Sequence, residues 1–217
     1  MSLTTRTRIK ICGLTREGDL DAAVAGGADA IGFVLYPKSP RAVSLRRATE
    51  LARRLPPFVT PVLLFVNAHR DEVEAALDAI PNALLQFHGD EPPADCERFR
   101  RPYLRAARMS PGLALLDFAT AYASAAGLLL DAHVEGYGGG GKAFDWSLVP
   151  AHVPLPVVLS GGLNPANVID GVMSVRPWAV DVSSGVESAK GIKDPALMRR
   201  FCEAVREADA RIADADN

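Results

Sequence analysis

The sequence predicts an α/β fold, a closed (β/α)8 barrel of the TIM type, and three observations carry that prediction. Eight short apolar runs are spread from one end of the 217 residues to the other. They recur roughly every 20–30 residues, the length of one strand-plus-helix unit. Segments of helical periodicity lie between them, with no linker and no shift in composition, so residues 1–217 read as a single domain. An open doubly wound sheet is the competing arrangement. The count of eight favours closure, and the first strand runs into Cys12-Gly13-Leu14-Thr15 where an open nucleotide-binding sheet would carry a G-x-G-x-x-G turn.

Taken in order, the predicted strands are Ile9–Cys12, Ala30–Leu35, Val62–Val66, Ala83–Phe87, Tyr103–Ala107, Leu128–Ala132, Val157–Ser160 and Trp178–Val182. Runs such as Val62-Leu63-Leu64-Phe65-Val66 are apolar on both sides of the pleat, which suits a parallel strand covered on both faces. After the first strand, Leu20, Ala23, Val24 and Gly27 share one helical face. Leu45, Ala48, Leu51 and Leu55 do so after the second, and Val73, Ala76, Leu77 and Ile80 after the third. Pro92–Arg101 predicts a less regular helix and Ser147–His152 a single turn. The last helix carries Leu197, Phe201, Ala204, Val205, Ala208 and Ile212 on one stripe. Thr15 with Glu17, Ser44, Asn164-Pro165 and Asp194-Pro195 each place a capping side chain beside a predicted helix start. From Arg206 to Asn217 the chain turns polar and Ala/Asp-rich, so its last few residues are expected to fray.

Composition narrows the function classes. With 48% hydrophobic and 23% charged residues the chain can bury a sizeable core. Its formal charge is −2 and its Lys and Arg residues are scattered, so it lacks the basic face of a sequence-independent nucleic-acid binder. Cys12, Cys96 and Cys202 are an odd number at wide spacing, which is no disulfide framework and points to a reducing compartment. The four histidines form no metal-like pair. Met1 to Arg8 is polar and basic with no apolar core after it, and no run approaches the roughly 20 apolar residues of a membrane span. These features predict a cytoplasmic protein with no membrane, nucleic-acid or metal partner. Every helical stripe can be used against the barrel, so a monomer is the default expectation.

In such a barrel the active site lies at the C-terminal ends of the strands. That rule selects Cys12, Asn67, His88, Asp131, Asp181 and Ser183, with Lys38 and Arg41 from the loop after the second strand. Cys12 reads either as a small buried hydrophobe or as a thiolate at the barrel mouth, able to act as base or nucleophile. Asp131, after three leucines, is either a structural acceptor or a general acid or base. Asp181, in Val180-Asp181-Val182, has the same two readings, and His88 is either a satisfied strand-end residue or a ligand contact. Three glycine-containing stretches suit phosphate, because main-chain N–H groups there can approach an anion closely. They are Gly138-Gly139-Gly140-Gly141-Lys142, Ser160-Gly161-Gly162 and Ser183-Ser184-Gly185; the last two end the seventh and eighth strands, where barrels often bind phosphate. Arg41, in a loop stiffened by Pro37 and Pro40, is either a surface cation or a bidentate carboxylate holder. Cys96 and Cys202 read as packing residues.

Several blocks occur in one order: Lys10-Ile11-Cys12-Gly13-Leu14-Thr15, the stretch Gly32 to Arg41, Phe65-Val66-Asn67, Leu85-Gln86-Phe87-His88-Gly89, Leu130-Asp131, Gly139 to Trp146, Ser160-Gly161-Gly162-Leu163, and Val180 to Glu187. In this order they resemble the phosphoribosylanthranilate isomerases of tryptophan biosynthesis. The resemblance implies a cofactor-free Amadori rearrangement of N-(5'-phosphoribosyl)anthranilate to 1-(2-carboxyphenylamino)-1-deoxyribulose 5-phosphate. It implies Asp131 as general acid, Cys12 as general base and Arg41 on the anthranilate carboxylate; by their position at the strand ends, His88 and Asp181 are read as lining the substrate pocket. Gly140, Gly141, Lys142, Gly161, Gly162, Ser183, Ser184 and Gly185 would enclose the phosphate. The family's loop commonly reads Gly-Gly-Thr-Gly-Lys, and Gly140 stands at the Thr position here. A carboxylic acid and a thiol have reference pKa values in the opposite order to these roles. The site must therefore raise Asp131, lower Cys12 or work through a small active fraction; the phosphate site and helix N-termini nearby could favour a thiolate. A histidine-pathway isomerase would carry carboxylates at both catalytic positions and internal self-similarity, and a phosphate sensor would need neither Cys12 nor Asp131.

Overall fold

The computed structural model describes residues 6–132 and 143–216. Eight parallel strands close into a barrel: β1 (Arg8–Cys12), β2 (Ala30–Val34), β3 (Thr60–Phe65), β4 (Leu84–Phe87), β5 (Tyr103–Met109), β6 (Gly127–Ala132), β7 (Val157–Leu159) and β8 (Ala179–Val182). Closure is made by β1, which pairs with β2 on one side (Cys12 opposite Gly32) and with β8 on the other (Lys10 opposite Asp181). All eight predicted strands are present, and closure replaces the open-sheet alternative.

The period-2 alternation of each strand decides what the barrel contains. Ile9 and Ile11, Ile31 and Phe33, Leu63 and Phe65, Leu85 and Phe87, and Val180 and Val182 all belong to the main buried cluster with residues of the surrounding helices. They therefore point outward. The residues between them point inward. Leu104, Ala106, Leu129, Val158 and Ala179 fill the lower interior, and Cys12, Val34, Leu64 and Val66 form a separate group with Tyr36 near the mouth. By the same parity Lys10, Gln86, Asp131 and Asp181 are interior residues, and each is buried. Burying a Leu, Ile or Phe contributes about 1.5–3 kcal/mol, so the outer layer against the helices supplies most of the hydrophobic stabilisation.

The helical layer is α1 (Glu17–Gly26), α2 (Leu45–Ala52), α3 (Arg70–Ala79), α4 (Pro93–Glu97), α5 (Leu115–Ala121), α6 (Val168–Val175) and α7 (Pro195–Ala215). Ser44 caps α2 by accepting the Arg47 N–H at 3.2 Å, and Asp194 caps α7 through the N–H groups of Ala196 and Leu197, as their sequence positions predict. Two start signals are reassigned. Arg16 occupies the N-cap of α1, and the Thr15 hydroxyl instead donates to the Gly191 carbonyl at 3.0 Å. Asn164 closes a turn ahead of α6 by accepting the Ala166 N–H at 2.8 Å, so the helix itself starts only at Val168. The helix expected over Pro92–Arg101 is limited to α4. The single turn expected at Ser147–His152 is a 3-10 turn at Trp146–Leu148, set by Asp145 accepting the Ser147 N–H. At the other end α7 runs through Ala215, and Arg176 pairs with Asp216 at 2.8 Å.

One element has no counterpart in the sequence reading. After β8 the chain makes a 3-10 turn (Ser184–Val186) and then a small antiparallel hairpin, β9 (Glu187–Ala189) and β10 (Ile192–Lys193). Gly191, at φ 77°, supplies the left-handed conformation its turn needs. This hairpin lies over Pro40 and carries two buried charged side chains, Glu187 and Lys193.

Candidate active site

The interior polar residues and the loops after the strands form three hydrogen-bonded groups. The first lies on β1 and β8. Lys10 and Cys12 are two residues apart on β1 and face the same way. Lys10 Nζ sits 2.6 Å from Asp181 Oδ1, and Ser160 Oγ donates to Asp181 Oδ2 at 3.2 Å. The Lys10 ammonium and the Cys12 sulfur influence each other's ionisation. Burial opposes the Lys10 charge, but Asp181 and Cys12 outweigh it and hold its pKa above the usual lysine value. Burial pushes the Cys12 thiol above its ordinary value; the Lys10 ammonium acts the other way without cancelling it. The site therefore keeps Cys12 largely as a thiol, and any thiolate is drawn out against desolvation. That is the opposite of the lowering considered from the sequence, because a buried sulfur loses more hydration than nearby positive charge restores.

The second group joins β4 and β6. His88 Nε2 lies 3.0 Å from Asp131 Oδ2, and its Nδ1 lies 3.0 Å from Gln86 Nε2. With the Gln86 amide donating to Nδ1, the ring carries its proton on Nε2 and donates it to Asp131. The other carboxyl oxygen accepts the Ala132 N–H at 2.9 Å. Both oxygens of Asp131 are thus fixed in direction, and the residue is 8% exposed at the barrel mouth.

The third group is built on the β2–α2 loop and the hairpin. Arg41 is clamped by Glu187, with Nε to Oε1 at 2.7 Å and Nη2 to Oε2 at 2.8 Å. Lys193 Nζ shares Oε1 at 2.8 Å and also donates to the Ser183 carbonyl and hydroxyl. Ser183 Oγ donates to the Cys12 carbonyl at 3.0 Å, which ties this group back to β1. Burial draws the Lys193 pKa below the usual lysine range against the support of Glu187. Burial works against the Glu187 carboxylate as well, but Arg41 and Lys193 hold its pKa below the ordinary value.

Two of the three glycine turns expected from the sequence fall within the described residues. Gly161 and Gly162 follow β7 with φ of 75° and 70°, and among the described residues their N–H groups find no acceptor. A Cβ at Gly161 would collide with the Ala132 main chain and stand 3.1 Å from Asp131 Oδ1, so this turn packs directly against Asp131. Ser184 and Gly185 form the turn after β8. Gly140, Gly141 and Lys142 lie outside the described residues. Among the described residues no group of three His, Cys, Asp or Glu side chains is placed to hold a metal, and no helix is long and apolar enough to cross a membrane. All three cysteines are free and buried.

Sequence reading thus found Cys12, Arg41, His88, Asp131, Asp181, Gly161, Gly162, Ser183, Ser184 and Gly185 at one end of the barrel. It missed Lys10, Gln86, Glu187 and Lys193. A signal existed for two of them: Lys10 and Gln86 interrupt apolar strands two residues before Cys12 and His88, on the same face. Glu187 and Lys193 gave none: Arg41, which Glu187 clamps, is far away in sequence, and the hairpin that joins Glu187 to Lys193 carries no local pattern.

The family model described as N-(5'-phosphoribosyl)anthranilate (PRA) isomerase matches residues 9–204. A protein of Leptothrix cholodnii named N-(5'-phosphoribosyl)anthranilate isomerase is 75% identical, over 98% of this chain and 96% of its own length. One of the same name from Dechloromonas aromatica is 62% identical, over 95% of this chain and 100% of its own. Among solved structures, the phosphoribosyl anthranilate isomerase of Thermotoga maritima superposes with a TM-score of 0.86 at 40% identity, covering 93% of this chain and 99% of that one. A crystal structure of such an isomerase in complex with reduced 1-(o-carboxyphenylamino)-1-deoxyribulose 5-phosphate gives 0.81 at 37% identity, with the same coverage.

Proposed function

This chain belongs to the N-(5'-phosphoribosyl)anthranilate isomerase family, and from that premise we propose how its own residues divide the chemistry. The reaction is the isomerisation of N-(5'-phosphoribosyl)anthranilate in tryptophan biosynthesis, an Amadori rearrangement. Asp131 gives a proton to the furanose ring oxygen as the C1'–O bond breaks, leaving an open-chain Schiff base. Cys12 takes the C2' proton, the electron pair moves to the nitrogen, and the resulting enol tautomerises to the ketone. No electron is gained or lost overall, so proton transfer is all the side chains must supply. The observation that carries this reading is parity: Cys12 and Asp131 are both interior residues at the C-terminal ends of β1 and β6, with the Gly161 turn packed against Asp131.

Arg41 reaches the anthranilate carboxylate with its remaining guanidinium nitrogen. The turns at Gly161, Gly162, Ser183, Ser184 and Gly185 take the phosphate, together with Gly140, Gly141 and Lys142. His88 and Asp181 line the pocket: His88 orients Asp131, and Asp181 anchors the lysine beside Cys12. Three free buried cysteines support a reducing, cytoplasmic setting, and the exposed large apolar residues include Phe58, Leu116 and Trp178 from separate segments, which supports a monomer.

The test generates the substrate in place from anthranilate and phosphoribosyl pyrophosphate with the preceding transferase, adds the protein, and follows the loss of anthraniloyl fluorescence. Fast, protein-dependent decay that vanishes in both Cys12→Ser and Asp131→Asn is the expected result. Near-normal decay in either variant would remove that residue from the mechanism.

A further inference from the structure

We infer that Glu187 is a positioning residue that aims Arg41 at a single carboxylate on the substrate's aromatic ring, and that Lys193 balances its charge; this rests on the reading of Arg41 given above. Arg41 leaves its loop across Gly13, where a Cβ would stand 2.7 Å from Arg41 Cδ, so the stem has one path. Glu187 then takes Nε and Nη2 together at 2.7 and 2.8 Å. A bidentate pair of this kind fixes the guanidinium plane as well as its position. Among the described residues Nη1 has no partner, so one edge of the guanidinium is left for an incoming anion.

The charges set what that anion can be. Arg41 and Lys193 bring two positive charges, and Glu187 removes one. The Glu187 side chain is 5% exposed and that of Lys193 is fully buried. A net charge of +1 in a desolvated site matches one carboxylate. Without Glu187 the two cations would repel, Arg41 would be free to turn, and the site would favour a dianion. The hairpin β9–β10 exists, on this view, to deliver one carboxylate and one ammonium to the back of Arg41. Lys193 also reaches Ser183, and Ser183 reaches the Cys12 carbonyl, so the arginine is held in register with the strand that carries the general base.

The experiment measures binding of two ligands by calorimetry: the reduced product analogue that bears the ring carboxylate, and its phenylamino counterpart without it. The unmodified protein is expected to prefer the first. Glu187→Gln should weaken the carboxylated ligand by about 10- to 100-fold, the worth of a charge-assisted hydrogen bond, and leave the other unchanged. Glu187→Asp, which keeps the charge but not the reach, should fall between. Retained binding of the phenylamino ligand shows that a variant is folded, which a merely structural role for Glu187 would not allow to stand apart from carboxylate binding. Equal weakening of both ligands, or no weakening of either, in Glu187→Gln and Glu187→Asp would overturn the inference. Arg41→Met separates the two levels: it should abolish the preference, and a preference that survives it sinks the reading of Arg41 itself.

Discussion

His88 Nε2 lies 3.0 Å from Asp131 Oδ2, and the opposite ring nitrogen is held at 3.0 Å by Gln86. The glutamine is fully buried in the barrel interior, so a group at the bottom of the site fixes the tautomer of a ring at its mouth. Asp131→Asn keeps the shape and removes the transferable proton. It is expected to lower kcat by roughly 10²–10⁴-fold, the usual range for a general acid, with an unchanged circular dichroism spectrum. Gln86→Leu leaves His88 in place but frees its tautomer; it should lower kcat by a smaller factor with little change in KM. Wild-type kcat in Gln86→Leu would show that the tautomer is immaterial.

Cys12, proposed above as the general base, is buried in a way that disfavours its thiolate. Its thiolate fraction, and with it kcat, should rise with pH through neutrality toward the alkaline side. The Lys10 ammonium lowers the thiol pKa, so Lys10→Met should move that limb to higher pH. Steady-state pH profiles of both proteins test this, with the rate of Cys12 alkylation by iodoacetamide as an independent measure of the thiolate. An unmoved limb in Lys10→Met would remove the lysine from the activation of Cys12.

The Lys10–Asp181 pair is almost solvent-free, with side chains 4% and 7% exposed. Breaking such a pair from one side leaves a buried charge without a partner, which costs about 3–5 kcal/mol. Urea unfolding of Lys10→Met should show a loss of that order. Removing both charges, in Lys10→Met with Asp181→Leu, should recover most of it. A double variant no more stable than the single one would mean that the pair is held for reasons other than mutual neutralisation.

Cys96 and Cys202 are pushed up to about 12 and about 11 by burial. A thiol whose folded pKa lies above its unfolded value stabilises the fold fully below the unfolded pKa, and that stability is lost as pH rises through the folded value. Stability should therefore fall between about pH 8.5 and 11. The fall should be shallower in Cys96→Ala with Cys202→Ala than in the unmodified protein. Parallel slopes in urea unfolding across that range would exclude the thiols as its source.

Gly161→Ala tests the contact between the turn after β7 and Asp131, the proposed general acid. Its φ of 75° alone costs an L-residue roughly 1–2 kcal/mol. The new methyl would also press on the Ala132 main chain and on Asp131. Both a lower unfolding midpoint and a fall in kcat are expected, where an alanine at the open position Gly112 should change neither.

The sequence by itself determined the strand count, the outward layer and the end of the barrel where polar residues gather. Those follow from local rules: period-2 alternation, helical stripes, and polar residues placed just past apolar runs. Cys12, Asp131 and Arg41 were legible for that reason, since each breaks a local pattern at a strand end or in a stiffened loop. What each of them touches was decided only by closure. Lys10 meets Asp181 because β1 pairs with β8 across the whole chain length. His88 reaches Asp131 because the inward faces of β4 and β6 share one interior. Glu187 clamps Arg41 because a hairpin after the last strand lies over the loop after the second. Capping shows the same division. Ser44 and Asp194 bond within three residues and were predictable, whereas Thr15 was drawn away to Gly191 by the fold. The protonation of Cys12 belongs with the second group, because desolvation is set by everything packed around the sulfur, and no stretch of sequence contains that.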